Sequence, residues 1–290
     1  MNSIFNTFSE SLLGTLNWTL NSIGFQVPWY TNYFWGLLLL SFMIWGLEIA
    51  FPWRKKQGVF RKDFWLDAFY MFFNFFLFSI AISGFYDLIQ LFFSSLGISN
   101  TRFVLLDLSE LPSGIQLLIF FVVLDFVQWT THILLHKIPV FWKFHQIHHS
   151  VKEMGFAAHL RYHWMENLLY KPLKTFGVMI LGGFEPEQAY IVHFIAITIG
   201  HLNHANIKLS WGPLKYILNN PIMHLYHHAY DLPRGKFGVN FGISLSLWDY
   251  LFHTDHVPDT NGEIKLGFPG DEKLSPNFIN QLGHGFVQKK

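Results

Sequence analysis

Three long apolar runs constrain this chain more than any other feature. Tyr33 to Phe51, Ala68 to Tyr86 and Gly114 to Leu135 are each long enough, as helices, to cross a hydrocarbon layer about 30 Å thick. In lipid, backbone N–H and C=O groups find no water, so an open chain satisfies them within α-helices. Composition points the same way: hydrophobic residues make up 51 % of the chain and charged residues 13 %, about half the charged share usual for a soluble domain. The expected fold class is all-α: a multi-pass transmembrane helical bundle of about three full spans plus a membrane hairpin, with a cytoplasmic histidine-rich cap.

Charge placement orients these runs. The first ends on Pro52 and is followed by Arg54, Lys55, Lys56, Arg61 and Lys62, a basic loop that the positive-inside rule assigns to the cytoplasm. The second run leads out to an outer loop, residues 96–112, where Arg102 is set against Asp107 and Glu110. The third returns and delivers His132 and His136 at its inner end, with Lys137 and Lys143 beyond. Two shorter apolar stretches, about Leu168 to Leu181 and Gln188 to Gly200, flank Gly182-Gly183-Phe184-Glu185-Pro186, a turn by composition. They read as a hairpin that enters the membrane and returns to the same side. Residues 1–33 lack a charged start and are too polar for a cleaved signal peptide, so they read as an outer or interfacial segment. Residues 34–290 then form a single membrane-embedded domain with its catalytic region at about 114–256. A protein so built is integral to a bacterial inner membrane or the endoplasmic reticulum, with its site facing the cytoplasm.

The net charge of +1, with no basic run interleaved with aromatics, leaves no footprint for nucleic acid. The absence of cysteine excludes disulfides, thiolate metal sites and iron–sulfur clusters. Any metal is therefore bound by nitrogen or oxygen. Sixteen histidines are many for so apolar a chain, and eight of them fall into three clusters. His132-x-x-x-His136 lies at a helix end, where a spacing of four puts both rings on one face. His145-x-x-His148-His149 and His224-x-x-His227-His228 each set two rings one turn apart and aim the third elsewhere, as a second ion requires. Eight buried imidazoles without a cation would leave acceptors unpaired, and protonating them would gather like charge. Eight ligands exceed what one ion takes, so two ions are implied, and imidazole suits iron, zinc, copper or nickel. No Glu-x-x-His pair of the ferritin type lies in an apolar run, and H-E-x-x-H is absent. His193 and His284, outside the clusters, read as hydrogen-bonded structural residues, and His253 and His256 as cap surface.

From about Asp125 to Thr254 the sequence resembles the sterol desaturase and fatty acid hydroxylase superfamily, membrane di-metal oxygenases that include alkylglycerol monooxygenase. Asp125, Trp129, His132 and His136 are similar to its D-x-x-x-aromatic-x-x-H-x-x-x-H helix, and Arg161-x-His163-x-x-Glu166 to its R-x-H-P-x-E segment. His204-Ala205-Asn206, Asn240-Phe241-Gly242 and Trp248-Asp249-Tyr250-Leu251-Phe252 resemble further elements. Ile133, Trp164 and His253 depart from the residues usual at their positions, and none of these departures removes a ligand. The resemblance implies metal ligation by His132, His136, His145, His148, His149, His224, His227 and His228, with His163 and His204 added. His201 is a possible substitute for His204, and His159 is left open. It also implies two iron ions (Fe2+/Fe3+), molecular oxygen and a membrane lipid whose hydrocarbon is hydroxylated or desaturated.

Three acids are expected to support the ligands. Asp125 lies two turns before His132 on the same helix face, where a carboxylate needs a partner; an imidazole N–H, reached through Gln128, would provide one. Glu166 and Asp249 invite the same reading, with ion pairs to Arg161 or Arg234 as the rival. With no haem motif, no G-x-G-x-x-G and no cysteine, the electron donor is expected to be a separate protein or a pterin. Two other classes use similar residues: a di-zinc membrane hydrolase, which needs a general-base carboxylate at a wet site, and a metal transporter, whose ligands would be strung along the spans.

Overall fold

The computed structural model describes residues 2–97, 104–183, 186–258 and 264–286. Three helices have the length and hydropathy to cross a membrane: α2 (Tyr33–Ala50), α3 (Phe64–Ser95) and α4 (Ser113–Lys137), of 18, 32 and 25 residues. The second and third apolar runs lie within α3 and α4, and α2 holds all of the first but Phe51. The Asn32 side chain starts α2 by accepting the Trp35 N–H, satisfying one of the donors a helix start leaves unpaired. Large apolar side chains such as Leu39, Phe42, Phe85 and Leu118 stay exposed along these helices, as expected where the solvent is lipid. The protein is a membrane protein built of α-helices.

The segment expected at the outer face or interface is itself a helix, α1 (Asn2–Ile23). It packs along the second half of α3, where Phe8 meets Phe85 edge-on at 5.1 Å between ring centroids. Gly84 permits this approach, because a Cβ there would collide with the Phe8 ring. At 1.5 Å per residue α3 is about 48 Å long, more than a bilayer's hydrocarbon needs. It is interrupted by a π-helical turn at Phe73–Leu77. That turn directs Asn74 inward to donate to the carbonyls of Leu160 and Tyr162, fixing the strand of chain that leads to Glu166. A π-bulge often marks a functional site for this reason: it re-aims a side chain without ending the helix.

The hairpin is formed by α6 (Trp164–Ile180) and α7 (Pro186–His204), and it reaches deeper than the apolar stretches suggest. At its tip β2 (Leu181–Gly182) pairs in parallel with β1 (Leu106–Asp107), so the turn meets the loop expected on the outer side. The first of these stretches is short because Lys171 and Lys174 punctuate it; the structure turns these residues towards an internal cavity. Of the loops read from the sequence, residues 98–103, with Arg102, and residues 184–185 lie outside the described residues.

At the opposite end a cap is assembled from α5 (Pro139–His149), α8 (Pro221–His227), α9 (Leu247–Leu251) and α10 (Phe278–Leu282). Its core includes Val151, Met154, Ala158, Leu225 and Leu266. The basic loop after α2 is bound into this cap. Arg54 N–H donates to Asn206 Oδ1, the Arg54 and Gln57 side chains both donate to the Met154 carbonyl, and Lys62 N–H donates to Glu153. Buried Arg61 and Arg161 converge on Asp67 at the start of α3. Basic loop and histidine cap thus share one end of the bundle, as expected.

Candidate metal centre

The last two turns of α4 carry His132 and His136, and Pro139, set at the first position of α5, turns the chain back so that His145, His148 and His149 face them. The end of α7 contributes His204. Asn220 caps α8 by accepting the N–H groups of Ile222 and Met223, which fixes the helix carrying His224 and His227 and ending at His228. Among the described residues these nine rings form two buried groups, whose ligand atoms lie within 4.8 Å of one another in each. One is His132, His136, His145, His149 and His227; the other is His148, His204, His224 and His228. The structure decides which member of each H-x-x-H-H motif splits off. Residues four apart stay together, as in 145 with 149 and 224 with 228, while His148 and His227 cross to the other group.

Hydrogen bonds at the outer ring nitrogens set the tautomers. His132 Nδ1 and His227 Nδ1 each lie 2.7 Å from a carbonyl oxygen, those of Phe241 and Val239. His148 Nδ1 lies 3.1 Å from the Arg161 carbonyl and His204 Nδ1 2.7 Å from that of Gly200. A carbonyl only accepts, so these Nδ1 atoms carry the proton and the Nε2 atoms present lone pairs. Yet the Nε2 atoms of His148 and His204 face one another at 3.4 Å, and those of His132 and His145 at 3.1 Å. His224 Nε2 stands 2.9 Å from His204 Nε2 and 3.2 Å from His228 Nε2. In the His148–His204 and His132–His145 pairs, where each Nδ1 carries the proton, lone pairs so placed repel unless a cation lies between them. Nitrogens bound to one ion at about 2.1 Å and near a right angle are themselves about 3 Å apart. Protonation cannot supply the charge at neutral pH: burial pulls His148 down to about 3 and holds His149, His224, His227 and His228 well below the ordinary imidazole value. The buried Nε2 atoms of His136, His149 and His227 have no hydrogen-bond partner among the described residues. The residues fit two metal ions bound by nitrogen.

The three acids take different roles. Glu166 accepts from His145 Nδ1 at 2.9 Å and from the His163 N–H at 3.1 Å, so it orients a ring directly, while Arg161 is engaged by Asp63, Asp67 and Ser150. Asp249 acts one step removed. It accepts from the N–H groups of Phe241 and Gly242, from Trp129 Nε1 and from Thr254 Oγ1, and so holds the segment whose Phe241 carbonyl faces His132. Asp125 is a correction. Its oxygens accept from the N–H groups of Ser244 and Leu245 and from Trp248 Nε1, and from no imidazole among the described residues. The cap folds over that face of α4 and brings backbone donors closer than any ring, so Asp125 anchors the cap to the membrane helix.

Not every expected ligand joins a group. His163 is turned away, its Nε2 on the Leu282 carbonyl and its Nδ1 accepting the Met165 N–H. His201 pairs with Ser41 through Nε2 and with His159 through Nδ1. His159 packs beside His204 at 5.1 Å between ring centroids. His193 lies against Tyr33 and Phe75, and His284 meets Gln146, both apart from the two groups. His253 and His256 lie on the cap, outside both groups.

Residues 117–254, which hold all nine rings, match the model of the fatty acid hydroxylase family. Over these residues the chain carries a fatty acid hydroxylase domain. It is 31 % identical over 178 residues to the ornithine lipid hydroxylase of Rhizobium tropici, covering 61 % of this chain and 52 % of that protein. It is 26 % identical over 245 residues to the alkylglycerol monooxygenase of Danio rerio, covering 79 % and 48 %. A methylsterol monooxygenase of Arabidopsis thaliana is 27 % identical over 147 residues, covering 48 % and 46 %. The chain thus spans about half or less of the length of these relatives. No solved structure matches it.

In this fatty acid hydroxylase-like chain both histidine groups open onto one cavity of about 1440 Å³. His132, His145, His148 and His204 line it, together with Trp18 of α1 and Phe93 of α3. Several contributors to the site are not visible as chemistry in the sequence. The carbonyls of Val239, Phe241, Arg161 and Gly200 act through the backbone, which every residue has. Asn240 was readable only as part of a motif: it adopts left-handed φ of 53°, which Asn tolerates better than most residues. Its side chain ties Met223 to His256, holding Val239 and Phe241 in place. Gly242 is needed because a Cβ there would collide with the Leu245 carbonyl.

Proposed function

We propose that this protein is a membrane-bound non-haem di-iron oxygenase that hydroxylates or desaturates the hydrocarbon part of a lipid. The observation that carries this reading is the pair of imidazole groups, with facing Nε2 atoms at 2.9 to 3.4 Å, opening onto a largely apolar cavity among the spans. Two iron ions, if bound there, would supply the reduction of dioxygen and the oxidation of an unactivated C–H bond. His132, His136, His145, His149 and His227 would hold one, and His148, His204, His224 and His228 the other. The chain itself orients these rings through carbonyls and Glu166, excludes bulk water by burial, and guides a chain-like substrate from the bilayer to the metals. The named activities of the relatives, on ornithine lipid, alkylglycerol and methylsterol, support a lipid as substrate. Electrons come from a separate protein or a pterin.

Anaerobic purification followed by metal analysis should give about two irons per chain, and added lipid should stimulate oxygen uptake. Zinc in their place, with lipid-independent hydrolysis, would falsify the reading. We propose that the cap faces the cytoplasm; the basic loop bound to it supports this side by the positive-inside rule. Single cysteines introduced at positions 57 and 105 should therefore react with an impermeant thiol reagent from opposite sides of the membrane; labelling of both from one side would remove this orientation.

A further inference from the structure

Two lysines occupy the middle of α6, where the hairpin crosses the depth of the bundle. Lys171 and Lys174 are three residues apart, on one helix face, and both line the large cavity. At 1.5 Å per residue they stand about 8 and 12 Å along α6 from Glu166, on the way to the far end. An ammonium at such depth is costly and persists where it faces a cavity and meets a partner.

Their protein partners are neutral. Lys171 Nζ donates to Ser79 Oγ at 3.1 Å and lies 5.7 Å from the centroid of the Tyr86 ring. Lys174 Nζ lies 5.6 Å from the Tyr170 ring, and among the described residues it has no hydrogen-bond or ion-pair partner. Asp125 attracts it electrostatically but forms no ion pair with it and spends its oxygens on Ser244, Leu245 and Trp248. The carboxylate that lines the large cavity, Glu166, belongs to His145. Two cations thus face a cavity that offers no free anion.

We propose that Lys171 and Lys174 bind the acidic head group of the substrate, a carboxylate or a phosphate, while its hydrocarbon chain runs back to the histidine groups. The inference rests on reading the cavity as the path of a lipid to an oxygenase centre, and it narrows that lipid to an acidic amphiphile. It also fixes where the chain is oxidised: the position is counted from the acidic end, because that end is anchored.

The test is equilibrium binding of tritiated probes of equal chain length to the purified, iron-loaded full chain in neutral detergent. Palmitate presents a carboxylate, palmitoyl lysophosphatidate a phosphate, and hexadecylglycerol and methyl palmitate no charge. One acidic probe should bind about tenfold more tightly than the neutral ones, and which one does so identifies the head group. Lys171→Met and Lys174→Met should each remove most of that preference, and Lys174→Arg should keep it. Equal binding of all four probes to the wild-type protein overturns the proposal without reference to any variant. So does a preference that survives in the Lys171→Met/Lys174→Met double variant with iron content at the wild-type level. Iron content and lipid-stimulated oxygen uptake are measured on the same preparation. Acid preference without iron or oxygen uptake removes the oxygenase reading and leaves the anion site; oxygen uptake without acid preference removes the anion site alone.

Discussion

His148→Ala and His228→Ala should each empty the four-histidine site, reducing bound iron from about two ions per chain to about one and abolishing lipid oxidation. His148 has its Nδ1 on the Arg161 carbonyl and its Nε2 facing His204, so alanine removes a ring that the backbone holds against the other ligands of its group. With one of four ligands gone, the remaining three cannot close the coordination that structural imidazole sites use. His136→Ala should do the same to the five-histidine group, with a smaller loss of iron, because four rings remain, and an equal loss of product. His284→Ala is the control; it lies near the end of the chain and outside both groups, and it should keep both irons and normal oxidation. Metal binding and folding are coupled, so a melting curve on each variant separates an emptied site from an unfolded cap. Two irons and wild-type turnover in all three cluster variants would end the di-iron reading.

Glu166→Gln should lower turnover by about 10- to 100-fold, the loss usual for a partner that orients a metal-bound imidazole. Both carboxylate oxygens are in use, one facing His145 Nδ1 and the other accepting the His163 N–H. An amide has one accepting oxygen, so its NH2 must confront one of these two donors, and the His145 ring turns or loses its anchor. The effect should be read as a larger drop in rate than in iron content. Asp125→Asn makes an instructive contrast. It loses one acceptor among three N–H donors from the cap, at a cost of about 1 to 3 kcal/mol for a buried unsatisfied donor. Its main consequence should therefore be a lower melting temperature with near-normal iron content. Were Asp125→Asn to spare stability and remove activity, the anchoring role assigned to it would be wrong.

The contrast shows where helix geometry alone misleads. Asp125 and His132 do lie on one face of α4, as their spacing requires, but the Asp125 carboxylate meets the segment Ser244 to Trp248, which arrives from more than a hundred residues later. Likewise the motif around Arg161 and Glu166 was legible as a unit, while the divergence within it was not. Glu166 turns towards His145, and His163 turns away to the Leu282 carbonyl, a partner contributed by the C-terminal part of the cap.

By itself the sequence determined the helical membrane character, through apolar runs that allow no other way of satisfying backbone polar groups in lipid. It also determined the nitrogen donor set, since histidine at spacings of three and four places rings on one helix side regardless of what surrounds the helix. Only the tertiary structure decided how these rings divide into two sites, because the division depends on how α4, α5, α7 and α8 meet, and spacing within one helix carries no information about another. The same holds for the tautomers, which are set by the carbonyls of Val239, Phe241, Arg161 and Gly200, groups common to every residue and placed only by the folded backbone. It holds too for Lys171 and Lys174. In the sequence they merely shorten an apolar stretch; in the folded bundle they face a cavity, and the cost of charge inside a membrane gives that placement its meaning.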